Sequence, residues 1–298
     1  MAADEGHSIV LGTATPGGGF PLFGTAFAGA LAEADPALAF TTRNTKGSTE
    51  NVTLLGAGAL DIALVQGEVA GPALAAPRDA EPGLSVVAAM YATAGLFAVL
   101  AAGPARAIGD LRGRPIVLGA RGSGLVILAR TVLDGLGLNP ETDFRAITLD
   151  RAGDGPAMVI AGEAAALWGG GIGWPGFTAL AEGPAGARFI APNAAERARI
   201  LARHPFLKEI TVPAGSYSGQ AEPITSVGSW SLVLAGPSLS AAAGYRIARA
   251  LHRAESRLAA RLPQARETTL ASTLAAAPDP ALLHPGVRRY LEEAGLIG

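Results

Sequence analysis

No cysteine occurs among the 298 residues, which excludes disulfide frameworks, thiolate metal sites and cysteine nucleophiles. The compartment stays open, because an exported protein need not use disulfides. Lysine is almost absent as well: Lys46 and Lys208 are the two, and the remaining basic residues are arginines scattered or paired along helical patterns. With a formal net charge of -2 and no basic stripe, the chain lacks the electrostatic footprint of a nucleic-acid binder. The four histidines, His7, His204, His252 and His284, are dispersed with no i, i+4 pair, so neither a metal nor a cofactor is expected. No P-loop, dinucleotide fingerprint or nucleophile elbow is present, and no short-period repeat, so the motifs of nucleotide enzymes and hydrolases are missing and solenoids are set aside.

What the chain does have is apolar surface and turns. Hydrophobic residues make up 49% and charged ones 16%, with 40 Gly and 21 Pro, the composition of a folded globular protein. Its length is at the limit of a single core, since one core stops growing near about 250–300 residues, and two lobes are expected. The start, Met1 to His7, lacks the basic and apolar regions of a signal peptide, consistent with a cytoplasmic chain or with a mature one carrying an added initiator Met. Leu84 to Gly103 is apolar enough to raise a membrane span. Its Ser85, Tyr91, Thr93, internal glycines and β-branched residues fit two buried strand segments better than a helix.

Along the chain, short apolar strands alternate with helical patterns. Ser8–Thr13 reads as a strand, Thr15 to Gly19 as a glycine-rich loop and Pro21–Ala34 as a helix. Leu38–Thr42 is a second strand, a helix opens at Ser48 or Thr49, and Ala59–Gln66 is a third strand. The arrangement recurs as strand Pro115–Leu118, loop Gly119–Gly124 and helix Leu125–Leu136. Further strands are read at Ala164–Leu167, Phe189–Ala191, Ile210–Pro213 and Thr225–Ala235. Ser240–Leu262 reads as a long amphipathic helix with Arg246, Arg249, Arg253 and Arg257 on a solvated face. Such alternation indicates mainly parallel sheets covered by helices on both faces.

Candidate binding residues follow from that architecture, because open α/β sheets bind ligands beyond the carboxyl ends of their strands. The Gly17-Gly18-Gly19 loop is either a tight turn or a turn whose amides at Gly18 and Gly19, with the Thr15 hydroxyl, hold a small ligand. In Gly119-Ala120-Arg121-Gly122-Ser123-Gly124, a cation and a hydroxyl stand at a helix N-terminus, where dipole and free amides favour an anion; Arg121 can fork a carboxylate or be solvated. Gln66, Glu68 and Tyr91 follow or interrupt apolar strands, either meeting a ligand or satisfying local backbone. Trp168 and Trp174, with the glycines between them, make either a flat wall or packing and turn residues.

Taken together, the motifs resemble the TAXI family of solute receptors, the binding subunits of TRAP-type transporters. The marks are Gly12-Thr13-Ala14-Thr15-Pro16-Gly17-Gly18-Gly19-Phe20-Pro21, Gly47-Ser48-Thr49-Glu50-Asn51, Gly58-Ala59-Leu60-Asp61-Ile62-Ala63-Leu64-Val65-Gln66, Asp110-Leu111-Arg112-Gly113-Arg114, Gly119 to Gly124, Val212-Pro213-Ala214-Gly215-Ser216-Tyr217 and Leu283-His284-Pro285-Gly286. The resemblance implies an α/β, two-lobed type II periplasmic binding protein fold with two hinge strands, lobe 1 from residues 8–92 and 228–298 and lobe 2 from 93–227. It implies a periplasmic receptor, its signal peptide removed, that closes on a glutamate- or 2-oxoglutarate-like acid and delivers it to a TRAP permease without chemistry. It places Thr15, Gly18, Gly19, Ser48, Thr49 and Gln66 on one jaw and Arg121, Ser123, Gly124, Trp168 and Gly170 on the other, Arg121 toward a ligand carboxylate and Glu68 toward an ammonium or hydroxyl. The chain departs from the family pattern at Gly67-Glu68, where Ser-Asp is usual; at Ala165-Ala166, for Asp-Ala; at Arg121, for Pro; and at Leu125, for Thr. These departures bear on the ligand more than on the fold. A sensor input domain is the alternative. A thiamine-pyrimidine synthase would call for a cysteine and clustered histidines, which this chain lacks.

Overall fold

β-branched and apolar runs bounded by glycine and proline set the strands, and the computed structural model, which describes residues 8–75, 83–277 and 279–297, places them in two compact units. His7 and the polar start lie outside the described residues. One unit holds the residues up to Ala14, Phe20–Tyr91 and those from Trp230 onward; the other holds Thr15–Gly19 and Ala92–Ser229.

In the first unit, β1 (Ile9–Gly12), α1 (Gly19–Ala34), β2 (Phe40–Arg43), α2 (Ser48–Gly56), β3 (Ile62–Val65) and α3 (Gly67–Ala75) form successive βα units. β1 pairs in parallel with β2 and β3. The next strand, β4 (Ser85–Leu100), is one continuous 16-residue strand where two segments were expected. Among the described residues no helix is long and apolar enough to cross a membrane.

The second unit contains β5 (Pro115–Ala120), α4 (Gly124–Gly135), β6 (Arg145–Leu149), α5 (Gly155–Ile160), β7 (Ala166–Gly170), α6 (Pro175–Ala181), β8 (Ala187–Ile190), α7 (Ala194–Arg203) and β9 (Lys208–Val212). β10 (Ile224–Ala235) then carries the chain back, as β4 carried it out. The strand order is β2-β1-β3-β10-β4 in the first unit and β10-β4-β7-β5-β6 in the second.

The apolar character of β4 has a direct cause in the second unit. Phe97 and Val99 enter one core with Ile116, Leu118 and Trp168, whereas Leu96 and Ala98 enter another with Val117, Leu167 and Phe177. Successive strand side chains point to opposite faces, and here both faces are covered by helices, so every position must be apolar. In the second of these cores the Tyr217 hydroxyl donates to the Gly171 carbonyl and accepts from the Trp174 amide. Burial pushes its pKa up from the usual phenol value.

The chain ends in α8 (Ala241–Arg261), α9 (Leu270–Ala276) and α10 (Pro285–Glu293), all in the first unit. Here the sequence reading of a solvated arginine face holds for Arg253, which is exposed, and is corrected for Arg246, Arg249 and Arg257, which meet carboxylates. Arg246 forks Asp35 at 2.7 and 3.0 Å, Arg249 reaches the same carboxylate at 3.1 Å, and Arg257 and Arg261 meet Glu33. Glu33 and Asp35 stand at the C-terminal end of α1, where a helix dipole disfavours negative charge, and the guanidinium groups of α8 offset it. The Arg246 hydrogen bond leads in holding the Asp35 pKa at about 2. More than 200 residues separate the partners.

Candidate functional site

In the first unit the carboxyl ends of β1 and β3 are joined by Asn51, whose buried amide nitrogen donates to Thr13 O and Leu64 O, both at 2.8 Å. Asn51 therefore holds these two strand ends against the start of α2. Ser48, the first residue of α2, is also buried; its hydroxyl accepts from the Gln66 amide at 3.1 Å. The Gln66 carbonyl in turn accepts from Val69 and Ala70 and starts α3.

Backbone contacts thus fix Gln66, and its side chain is buried with Nε2 making no hydrogen bond among the described residues. β10 runs antiparallel to β3 with Leu232 opposite Val65. The paired register ends at Leu232 and Val65, and Ser231 and Gln66 are the next residues along their segments. Ser231 is fully buried, and its hydroxyl too has no partner among the described residues. Each of these buried polar groups left unpaired would cost roughly 1–3 kcal/mol, so their presence calls for an explanation in function.

The other first-unit candidates are placed differently. Glu68 is buried in the first turn of α3, while Thr49 is exposed and contributes its carbonyl to Thr53. Tyr91 lies in the core with its ring edge-on to Phe23, centroids 5.6 Å apart.

In the second unit, Ser123 is the N-cap of α4; its hydroxyl accepts from the Leu125 amide at 3.2 Å, and Gly124 begins the helix. Arg121 is exposed, its Nε 4.0 Å from Asp150, with no closer side-chain partner among the described residues. It stands on the loop that enters the helix, and positive charge and the helix N-terminus together favour an anion there. The Thr15–Gly19 loop belongs to this unit as well. Thr15 Oγ1 accepts from Ala152 N at 3.4 Å, and Gly17, at φ 82°, is packed so closely that a Cβ would fall 2.7 Å from the Gly153 Cα. Gly18 N turns back to Thr15 O, and Gly19 begins α1.

Trp168 and Gly170 do not form the flat wall suggested by their sequence setting. The Trp168 ring is wholly buried in the core, edge-on to Phe97 at 4.8 Å. Gly170 is a packing glycine, since a Cβ there would lie 2.4 Å from the Ala94 carbonyl oxygen on the neighbouring strand. Trp174 is likewise buried, its ring edge-on to Phe177.

Two residues of the first unit escaped the sequence reading. Asn51 was visible inside the Ser48 motif, but nothing local distinguished it from a helix-surface amide. Ser231 was visible as one of the serines alternating along β10; its meaning depends on register with β3. Among the described residues no group of three His, Asp or Glu side chains is disposed to hold a metal ion.

The fold formed by these units is that of the periplasmic binding proteins. The chain is similar to malate-bound MatC from Rhodopseudomonas palustris, at 14% identity and a TM-score of 0.59, covering 96% of this chain and 95% of that one. It is similar to the alkanesulfonate-binding protein SsuA from Xanthomonas axonopodis pv. citri bound to MOPS, at 17% identity and a TM-score of 0.51, covering 99% and 93%. The substrate-binding protein of an amino acid ABC transporter matches at 12% identity and a TM-score of 0.52, covering 87% of this chain and 99% of that one. By sequence, the chain belongs to the NMT1-like family, whose model matches residues 11–295.

Proposed function

We propose that this protein is an extracytoplasmic solute receptor that binds a small carboxylate-bearing ligand and passes it to a TRAP-type permease. The observation that carries this reading is the pair of buried, unpartnered groups at the carboxyl end of β3, Gln66 Nε2 and Ser231 Oγ. Both can donate, so they suit the acceptor oxygens of an organic acid. Within the second unit, the α4 N-terminus with Ser123, Gly124 and Arg121 is a place that favours an anion, in keeping with an acidic ligand. The fold neighbours add support, since their names record malate, an alkanesulfonate receptor and an amino acid transporter. The TAXI assignment and the TRAP partner rest on the motif series from Gly12 to Gly286. Glutamate and 2-oxoglutarate are the first ligands to test, with Glu68 meeting an ammonium or hydroxyl.

A thermal-shift panel of glutamate, 2-oxoglutarate, malate and their neutral amides tests the reading. A ligand at about 100 times its Kd adds about 2.7 kcal/mol of stability. Gln66→Leu and Ser231→Ala are each expected to weaken the responding acid by at least about tenfold, the cost of one lost hydrogen bond to a charged group. A shift with neutral compounds and none with acids overturns the carboxylate assignment. Undiminished binding by Gln66→Leu overturns the site.

A further inference from the structure

The second unit carries a cavity of ≈ 670 Å³ on the sheet edge where β5, β6 and β7 begin and β4 ends. The loop Gly119–Gly124 lies at the other end of β5, so this cavity is not part of the site described above. Its volume is in the range of small-molecule sites. Apolar groups supplied by Leu100, Leu111, Pro115 and Val159 line its floor.

The charged groups around it are unbalanced. Arg114 and Arg145 line the cavity, and neither side chain makes a hydrogen bond or ion pair with the other described residues. They belong to one small patch, because Arg145 N donates to Arg114 O at 2.9 Å. Arg106 and Arg188 both donate to the carbonyls of Gly103 and Ala105 on the rim, and the Arg106 charge also acts on Asp110, whose pKa lies below the usual carboxylate value chiefly through the amide hydrogen bonds of Arg106 and Ala107. The cavity's carboxylate, Asp110, already accepts from the amides of Arg106 and Ala107 through one oxygen, and Arg112 beside it is paired with Asp143. Two guanidinium groups without a side-chain partner among the described residues thus line the cavity with one carboxylate whose Oδ2 is already engaged, in a protein whose formal net charge is -2.

We infer that this cavity is a second ligand site for a small organic anion with an apolar body, such as an aromatic carboxylate. Arg114 and Arg145 receive the carboxylate, planar donors being suited to paired hydrogen bonds, and the ring lies on Leu100, Leu111 and Val159. Neither arginine takes part in the proposed receptor site, so the two readings can fail separately.

The test is an amide NMR titration of the full chain with benzoate, and with benzamide as the neutral isostere. Benzoate is expected to shift the amides of Gly103, Leu111, Gly162 and Ala165 saturably, and benzamide to leave them in place. The Arg114→Ala/Arg145→Ala double variant is expected to bind benzoate at least tenfold more weakly while the rest of its spectrum is unchanged. Because both side chains are exposed, the variant keeps its fold; the Arg121→Ala variant provides a control that retains the shifts. Equal binding by the double variant, equal shifts with benzamide, or shifts confined to Gly119–Gly124 would each overturn the inference.

Discussion

Replacing Asp35 by Asn removes the charge from the seam between α1 and α8 while keeping the side chain's size. In the folded protein Asp35 titrates at about 2 against an ordinary value of 3.8, the Arg246 hydrogen bonds being the main cause. At about 1.36 kcal/mol per unit, that difference corresponds to about 2.4 kcal/mol of stability at neutral pH. The figure is an upper one, because Arg246 and Arg249 are each about a third exposed and solvent screens them. A depressed carboxylate pKa stabilises the fold above the unfolded pKa, and the contribution is lost as pH falls through the folded one. Linkage puts it at about 1.3 kcal/mol at pH 3 and about 0.4 kcal/mol at pH 2. Urea unfolding of parent and Asp35→Asn at pH 7, 4 and 3 measures this. The gap between them should be widest at pH 7 and shrink by about half at pH 3. A gap of the same size at pH 7 and pH 3 would refute the electrostatic account and leave only lost packing.

Four further outcomes are expected. Gly228→Ala should fail to fold or lose more than about 3 kcal/mol, because the added Cβ would meet the Thr93 carbonyl oxygen at 1.7 Å; Gly109→Ala, with open space around it, should be near neutral in the same urea assay. His284 is buried, accepts from Gly286 N through Nδ1 and pairs Nε2 with Leu239 O, and burial lowers its pKa. Its contribution is therefore present above pH 6.5 and lost as pH falls through the lowered value, and an NMR midpoint at or above 6.5 would contradict this. Tyr217→Phe should cost about 1 kcal/mol, since it removes the two hydroxyl hydrogen bonds while the Trp174 amide keeps its bond to the Gly171 carbonyl at 3.3 Å, and the parent's Tyr217 should resist ionisation in an ultraviolet titration through pH 10, where an ordinary phenol is half ionised. Ser123→Ala should lower stability by about 1 kcal/mol through loss of the α4 N-cap, measured by thermal unfolding.

Much of the fold was legible because local rules and tertiary demands agree. Gly17 and the Asp35-Pro36 pair bracket α1, Ser240 caps α8, and the alternation of strand and helix that those stops delimit is what a parallel sheet needs. β6 and the helices α3, α5, α6, α7, α9 and α10 were not read from sequence. β6 has partly exposed apolar residues and an arginine at its start, and α5 and α6 are short, so their periodicity does not rise above the surroundings; α7, which opens on a capping box of Asn193 and Glu196, carried a legible signal that was passed over. The arginines of α8 were read as solvated because their acidic partners lie over 200 residues away.

The sequence by itself excluded disulfides and cysteine chemistry, through its missing cysteine, and it determined a strand–helix alternation with glycine loops at strand ends. Local composition suffices for that, because turns, caps and periodicity act within a few residues. Tertiary structure decided which polar residues stand alone. Ser231 matters because the pairing of β10 with β3 buries it one residue beyond Leu232, Trp168 became core because two faces of one sheet are buried, and Arg114 and Arg145 share a cavity because β5 and β6 are neighbours. Those are facts of pairing between distant segments, which no local pattern encodes.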